Sequence, residues 1–212
     1  MSAAPDGQSG RPGVGVARLY HQGVEAVVEL AGELVPRQWS TPACGSWSAA
    51  DTVRHLLSVS RWYHAWLDRA IEGDVSRPFP GEQIDAYAAA ALADGRTLTP
   101  GAAAAAFERS ATEYQARAAE HRDLPYGFPF GIATVGLHLG VAAAEWHLHA
   151  WDLSTVTAQR HRPEDPGLLL RATGECVAAT SGRWKAAAVR RVVPVMSRRS
   201  PWETMLRRSG RV

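Results

Sequence analysis

The chain has 212 residues, of which 46% are apolar and 21% are charged, and its formal net charge is +2. This composition is typical of a soluble globular protein of one domain, and so small a charge argues against nucleic acid as a partner. The sequence has no apolar run of about 18 residues and no secretory leader, so we expect no membrane association and a cytoplasmic location.

The first part of the chain predicts a tail followed by a helix. Residues 1–14 are rich in Gly, Pro, Ser and Ala, which is typical of disorder, and residues 15–212 are expected to form a single domain. From Val16 to Leu34, apolar residues recur at steps of three and four, and Pro36 ends the pattern. This periodicity predicts the first long amphipathic helix.

A second long helix is predicted after the loop "PRQWSTPACGSW". Ser48 and Asp51 have the spacing of a capping box, so the helix is expected to begin at Ser48, and Gly73 suits its C-terminal cap. A connection that contains Pro and Gly leads to a short Ala-rich segment over residues 83–93, whose helix propensity is high.

Two further long helices complete the pattern. Thr99 is expected to cap the third helix, with Pro100 at its first position, and that helix should end near His121. Its inward face is predicted to hold Phe107, Ala111, Tyr114 and Ala118. The stretch "RDLPYGFPFG" is expected to be a loop, because three aromatic residues, two prolines and two glycines suit no regular element. The fourth long helix is predicted over residues 132–157.

The C-terminal part predicts a helix over residues 167–181 and then an extended arm that ends in a short helix. Its arginines are interpreted as a solvated surface with a few ion pairs: Arg190, Arg191, Arg198, Arg199, Arg207, Arg208 and Arg211. Exposed Trp and Leu side chains around "PWETML" would offer a face for a homodimer. Cys44 and Cys176 are interpreted as free thiols. Four long amphipathic helices without βαβ alternation predict an all-α four-helix bundle with a C-terminal arm.

The fourth helix carries ionisable residues where its sequence, "AAAEWHLHAWDL", is most apolar. At about 100° per residue, one line along this helix holds His138, Glu145, His149 and Asp152. His147 points away from that line and is expected to lie at the surface or to have its hydrogen bonds satisfied. On the second helix, His55 is expected to face inward, because it shares a face with Val59, Trp62 and Trp66.

Two interpretations of these residues stay open from spacing alone. Buried ionisable groups need partners, so His55 and His149 are either core histidines bonded to the backbone or to Glu145, or they hold a divalent metal together with Glu145. A site with two histidines and one glutamate leaves a coordination position open, which is typical of catalytic zinc.

Several neighbouring side chains have a functional and a structural interpretation. Asp152 is a candidate acceptor for an imidazole N–H, or an ion-pair residue at the helix end. His138 is a candidate acid or base, or a packed histidine. Cys44 lies before a helix N-terminus, which favours a thiolate, but we do not expect it to be the nucleophile. Four tryptophans are interpreted as core rather than as a cofactor platform: Trp39, Trp47, Trp62 and Trp66.

Three segments resemble the DinB-like proteins related to mycothiol-dependent maleylpyruvate isomerase. They are "QWSTPACGSWSAADTVRHLL", "EWHLHAWDL" and the closing "VVPVMSRRSPWETMLRRSGR", and the resemblance spans about residues 16–211. It implies a four-helix bundle in which His55, Glu145 and His149 match the family's metal ligands. It also implies a divalent metal, expected to be Zn²⁺, and mycothiol as co-substrate.

The resemblance implies an enzyme, an isomerase or S-transferase that joins a low-molecular-weight thiol to a small electrophile. Three alternatives share the same motifs. The first is a metalloenzyme of a specialised biosynthetic pathway that uses no thiol. The second is a non-catalytic protein that binds a metal or a ligand. The third is a metal-free helical interaction module.

Overall fold

Seven α-helices and two short strand pairs form the parts of the chain that the computed structural model describes, which are residues 12–95, 97–180 and 200–212. The helices are α1 (Pro12–Glu33), α2 (Ala49–Ile71), α3 (Ile84–Gly95), α4 (Pro100–Glu120), α5 (Val135–Ser154), α6 (Pro166–Thr180) and α7 (Pro201–Arg208). The antiparallel strand pairs are β1 (Pro42–Cys44) with β2 (Trp47–Ser48), and β3 (Pro125–Phe128) with β4 (Gly131–Thr134). Short 3₁₀ helices lie at Pro36–Ser40 and Gly81–Gln83.

The four long helices α1, α2, α4 and α5 form the bundle, which confirms the predicted all-α class. α1 lies against α5 and α4, while α2 lies against α4 and α5. The inward faces bury large side chains: Tyr20, Val27, Leu56, Phe107, Tyr114 and Trp146. Removing such apolar surface from water stabilises the fold by about 25 cal/mol per Å². The inward face predicted for α4 is confirmed, since all four of its residues are buried.

The predicted helix starts are confirmed by their caps. The hydroxyl of Ser48 accepts a hydrogen bond from the Asp51 backbone N–H, and the Asp51 carboxylate accepts one from the Ser48 N–H. Thr99 likewise accepts a bond from the Ala102 N–H, with Pro100 at the first helical position. These local bonds fix where α2 and α4 begin.

Some predicted boundaries differ from the structure. Helix α1 begins at Pro12, so the last three residues of the predicted tail are helical, and residues 1–11 lie outside the described part. The loop predicted for "RDLPYGFPFG" is wrong, because this stretch contains β3 and the turn into β4. Gly131 has a φ of 148°, and a Cβ at Gly127 would collide with the Val75 carbonyl oxygen. Gly131 therefore allows the backbone conformation that the hairpin needs, and Gly127 allows its close approach to Val75.

The C-terminal region packs on the bundle through α6. The predicted helix over 167–181 is confirmed as Pro166–Thr180, and burial raises the pKa of its Cys176 thiol to about 12. The exposed face predicted for "PWETML" is wrong: its large side chains are buried, and α7 packs against α6. The predicted arm and four of its arginines fall within residues 181–199, outside the described residues.

Two smaller findings bear on the sequence predictions. Cys44 and Cys176 are both free thiols, as expected. Across the described residues, no helix combines the length and the hydropathy that crossing a membrane requires.

Candidate metal centre

The loop before α2 sets the position of His55. Gly45 has a φ of 57°, a left-handed conformation that favours glycine, where the chain turns from β1 into β2. Ser48 then caps α2, so that His55 falls in the second turn and faces the interior with 7% of its surface exposed. The ring of Trp47 lies against it, with centroids 4.7 Å apart, and limits how the imidazole is oriented.

Helix α5 presents Glu145 and His149 one turn apart, directly opposite His55. The Nε2 atom of His55 lies 3.2 Å from Glu145 Oε1, and the Nε2 atom of His149 lies 3.3 Å from the same oxygen. One ligand atom from each residue falls within 4.8 Å of the others. The structure thus brings together the three side chains that the sequence predicts as metal ligands.

The electrostatics of this cluster favour a positive charge beside the carboxylate. Burial alone would raise the pKa of Glu145, but the imidazoles of His149 and His55 lower it well below its ordinary value. Burial would lower the pKa of His149, yet the Glu145 charge and the bond to Asp152 raise it well above its ordinary value. The pKa of His55 is lowered, because burial outweighs its bond to Glu145.

Asp152 orients His149 from the other side of the ring. Its Oδ2 atom lies 2.8 Å from His149 Nδ1, and its side chain is only 1% exposed. Burial alone would raise the pKa of Asp152, but the bonds from His149 and Arg211 lower it. Arg211 donates to both carboxylate oxygens, at 2.8 Å and 2.7 Å. Both interpretations of Asp152 therefore hold: it accepts from the imidazole and forms an ion pair at the end of α5.

The guanidinium of Arg211 reaches the cluster because α7 ends in a Schellman motif. Gly210, at a φ of 74°, donates its N–H to the Arg207 carbonyl, and the Arg211 N–H bonds to the Leu206 carbonyl. Arg211 thus forms an ion pair, as the interpretation of the C-terminal arginines allowed, but its partner is a buried carboxylate, so the solvated surface is wrong for this residue. The Gly-Arg pair at the end of the closing segment was the signal that marked it.

The donor set of the cluster fits a divalent metal ion. With Asp152 accepting the Nδ1–H of His149, a metal ion that replaces the proton on Nε2 would be bound by that nitrogen beside Glu145. His55 makes its polar contact through Nε2 as well, because its Nδ1 atom is buried without a hydrogen-bond partner among the described residues. Two imidazole nitrogens and a carboxylate oxygen are ligands that Zn²⁺ and related ions accept.

A second group of donors shares His149 with this cluster. Cys44, His149 and Asp152 also offer ligand atoms within 4.8 Å of one another. The Arg211 guanidinium already lies among them, 2.7 Å from an Asp152 oxygen and 3.9 Å from the Cys44 sulfur. A cationic side chain therefore fills this second position, and the first group is the better candidate.

A cleft of about 340 Å³ opens beside the three donors. His138 lies in its wall, fully buried, with Nδ1 3.1 Å from the Tyr114 hydroxyl. Burial lowers the pKa of His138 to about 3, so this imidazole is neutral near pH 7. Its Nε2 atom has no hydrogen-bond partner among the described residues. The structure thus places His138 beside the cluster, in an aromatic surrounding that keeps it uncharged.

The tryptophans divide between core and cleft. Trp39 and Trp62 are half-buried against the core, and Trp66 is buried. Trp62 and Trp66 also line the cleft, so their interpretation as core alone was incomplete, and Trp47 lines the cleft without belonging to the core among the described residues. Phe128 and Phe130 also reach the cleft, from the β3–β4 hairpin, although their sequence predicted only a loop.

His147 lies on the opposite side of α5 and belongs to a different pair. It is buried rather than at the surface, and its hydrogen bonds are satisfied, as one of the two expectations had it. Its Nε2 atom lies 2.9 Å from the Leu19 carbonyl oxygen, and its Nδ1 atom lies 2.9 Å from His161 Nε2. Both imidazoles are held neutral, since burial lowers the pKa of each to about 4.

The fold and the cluster define a class: helical bundles with two histidines and a carboxylate converging in a cleft. The family described as "Mycothiol maleylpyruvate isomerase N-terminal domain" matches residues 20–154, and the chain belongs to this family. The match includes His55, Glu145, His149 and Asp152. The DinB-like resemblance seen in the sequence is therefore confirmed.

A solved structure gives a second comparison. The "Crystal structure of the mycothiol-dependent maleylpyruvate isomerase" superposes with a TM-score of 0.60 at 16% sequence identity, covering 77% of this chain and 68% of that chain. At this identity the likeness establishes a shared fold. A comparison with curated proteins gave no match.

Proposed function

We propose that the chain is a metal-dependent enzyme that uses a low-molecular-weight thiol, such as mycothiol, either to isomerise a small electrophile or to form a thioether with it. The convergence of His55 Nε2, His149 Nε2 and Glu145 Oε1 within 4.8 Å carries this proposal. The thiol part of the proposal rests on the family membership and on the name of the structural relative. We assign the activity to the cytoplasm, where such thiols are kept reduced.

The residues of the chain would prepare the site in a defined way. His55, Glu145 and His149 would hold the ion, for which Zn²⁺ fits best, and the ion when bound supplies a Lewis acid that favours the thiolate form of a thiol. Asp152 selects the His149 tautomer whose Nε2 is free to coordinate. Arg211 holds Asp152 in place through two hydrogen bonds.

The reaction follows from thiolate addition to an activated double bond. The sulfur forms a bond to one alkene carbon while the π electrons move onto the adjacent carbonyl. Rotation about the new single bond and return of those electrons expel the thiolate and restore the alkene in its other geometry. If the carbanionic carbon takes a proton from solvent instead, the thioether is the product, and the enzyme is an S-transferase.

Metal content tests the ligand assignment. We expect about one divalent ion per wild-type chain after gentle purification, and markedly less in His55→Ala and in Glu145→Gln, which keeps the shape of the side chain. His21→Ala is the matched control, because His21 is exposed and contacts only Glu25 in the described structure. Full metal occupancy in both cleft variants would show that the three residues are not the ligands.

A turnover assay separates the alternatives. The metal-loaded protein is mixed with a simple electrophilic alkene, with and without mycothiol or a small-thiol substitute. Thiol-dependent and metal-dependent turnover is the expected result. Turnover that ignores the thiol would indicate a thiol-independent metalloenzyme. Retained metal without turnover of any alkene in a broad panel would indicate a binding protein.

A further inference from the structure

The cleft beside the donors has an aromatic wall. Side chains from α2, its preceding strand and the β3–β4 hairpin form it: Trp47, Trp62, Tyr63, Trp66, Phe128 and Phe130. Trp62 and Trp66 lie nearly parallel, at an interplanar angle of 21°. Ile84 and Ala88 of α3 and Val141 of α5 add further apolar surface. Cavities of this size and lining suit a compact ligand with a flat apolar group.

A bound ion would attract one anionic group, but the charges along the rest of the described lining do not favour a second. Two of the described lining residues are acidic, Glu145 at the donor cluster and Asp85 at the start of α3. Besides a bound ion and His149 at the donor cluster, the cation among the described lining residues is Arg211, whose guanidinium is already bonded to both oxygens of Asp152. A substrate carboxylate would have to displace Asp152 to gain that fork and would leave this buried carboxylate without its guanidinium partner.

We propose that the substrate of this cleft is an uncharged electrophile with an aromatic or similarly flat apolar group, rather than a dicarboxylate. The apolar group would lie among Trp62, Trp66 and Phe130, and the reactive carbon would point toward Glu145 and His149. The inference rests on the proposed function for the reaction, but the preference of the cleft is a binding property and is measured without a thiol. It differs from what the name of the structural relative, a maleylpyruvate isomerase, says of that protein.

Calorimetric titration of the zinc-loaded full chain tests this preference with three probes. 4-Phenyl-3-buten-2-one is an uncharged aromatic enone, dimethyl maleate is an uncharged small alkene, and maleate is the dianion of the same skeleton. We expect the affinity to fall in that order, with at least a tenfold difference between the enone and maleate. Tighter binding of maleate than of the other two would overturn the proposal.

Two exposed side chains of one hairpin provide a matched pair of variants. Phe130 is 56% exposed and lines the cleft, whereas Ile132 is 49% exposed and is not among its lining residues. Neither substitution should affect folding. Phe130→Ala should weaken enone binding by roughly threefold to tenfold, in line with the loss of one aromatic contact. Ile132→Ala should leave it unchanged, and equal affinities in the two variants would count against the aromatic site.

The acidic lining gives a test by gain of binding. Asp85 is exposed in the first turn of α3, so Asp85→Arg should fold normally. It should improve maleate binding at least threefold and change enone binding less than maleate binding, and no gain for maleate would contradict the charge argument. If the binding order holds while thiol-dependent turnover fails, the proposed reaction is wrong and the cleft preference stands. If thiol-dependent turnover is found while maleate binds best, the proposed reaction stands and the cleft preference is wrong.

Discussion

Two pairs of imidazoles lie on opposite sides of α5 and have nearly the same spacing. The ring centroids of His55 and His149 are 5.1 Å apart, and those of His147 and His161 are 5.2 Å apart. The first pair faces the carboxylates of Glu145 and Asp152, and the second faces a backbone carbonyl. The same residue type, two positions apart in one helix, therefore has two different electrostatic settings.

The difference shows what a buried histidine needs in order to attract a cation. Beside carboxylates the pKa of His149 is raised, because a positive charge is stabilised there. In the other pair the Nε2–H of His147 donates to the Leu19 carbonyl, so its Nδ1 lone pair accepts from His161. A proton or metal ion on His147 Nδ1 would break its hydrogen bond with His161. Spacing alone does not distinguish the two cases.

The largest expected effect contrasts one substitution on each side of α5. His149→Ala removes a proposed ligand and should lower the metal affinity by more than about 100-fold, as metal titration with a competing chelator would show. His147→Ala should keep the metal but lose roughly 2–3 kcal/mol of folding stability, because a buried imidazole and its bonds are lost. Equal metal loss in both variants at equal folded fraction would remove the contrast.

The second prediction uses acid to probe the neutral pair. The folded pKa of His161 is about 4, below the ordinary value for histidine. As the pH falls below that ordinary value, His161 becomes protonated in the unfolded chain but stays neutral in the folded chain. The free energy of unfolding therefore decreases between neutral pH and pH 4. Urea unfolding at several pH values should show this loss.

A matched variant makes the pH prediction specific. His161→Gln keeps an N–H donor for His147 but does not titrate over this range. Its stability should decline less between pH 7 and pH 4 than that of the wild type, by on the order of 1–3 kcal/mol. Identical declines would show that His161 does not contribute to acid sensitivity.

A smaller effect is expected where a carboxylate supports the cleft pair. Asp152→Asn can present its amide N–H to His149 and so favour the tautomer whose Nε2 is protonated. We expect a loss of metal affinity of about 10–100-fold, typical of such supporting residues. Asp68→Asn is the control, because Asp68 is on α2 at the surface and pairs with Arg117. An unchanged metal affinity in Asp152→Asn would show that the tautomer is set in another way.

The smallest predicted effect concerns the residue behind Asp152. Arg211→Lys keeps the charge but loses the two-pronged contact, so the metal affinity should fall by only about threefold to tenfold. Arg208→Lys, at an exposed position of α7, should have no effect. If Arg211→Lys reduced affinity as strongly as His149→Ala, the guanidinium would have a more direct role than positioning.

Local sequence features predicted the helices well, because caps and apolar periodicity act within a few residues. Ser48 and Thr99 begin their helices in the structure as their patterns indicated. The hairpin at residues 125–134 was missed for the opposite reason. Its prolines and glycines disfavour strands on average, and the close approach of Gly127 to Val75 becomes visible only in three dimensions.

The site was predictable in part. The helical line of His138, Glu145, His149 and Asp152 follows from periodicity, but the pairing of His55 with Glu145 joins residues 90 positions apart. The inward faces of the two helices left that pairing as one of two open interpretations, the family resemblance favoured it, and the metal itself stays a prediction. The Gly-Arg pair marks the turn before Arg211, but the contact of Arg211 with Asp152 and the burial of Trp202 depend on how α7 packs, which no local pattern encodes.

The turn at Gly210 places Arg211 beside Asp152, a residue that is synthesised much earlier. Asp152 leaves the ribosome 59 residues before Arg211, so helices α1 to α5 are available to assemble before the C-terminal helix exists. The residues of the donor cluster are then synthesised first, and the Arg211 guanidinium can bond Asp152 only after the C-terminal segment has been made. Because the donors still face the open cleft, Arg211 would then fix Asp152 behind His149 without closing the path of an ion to the site.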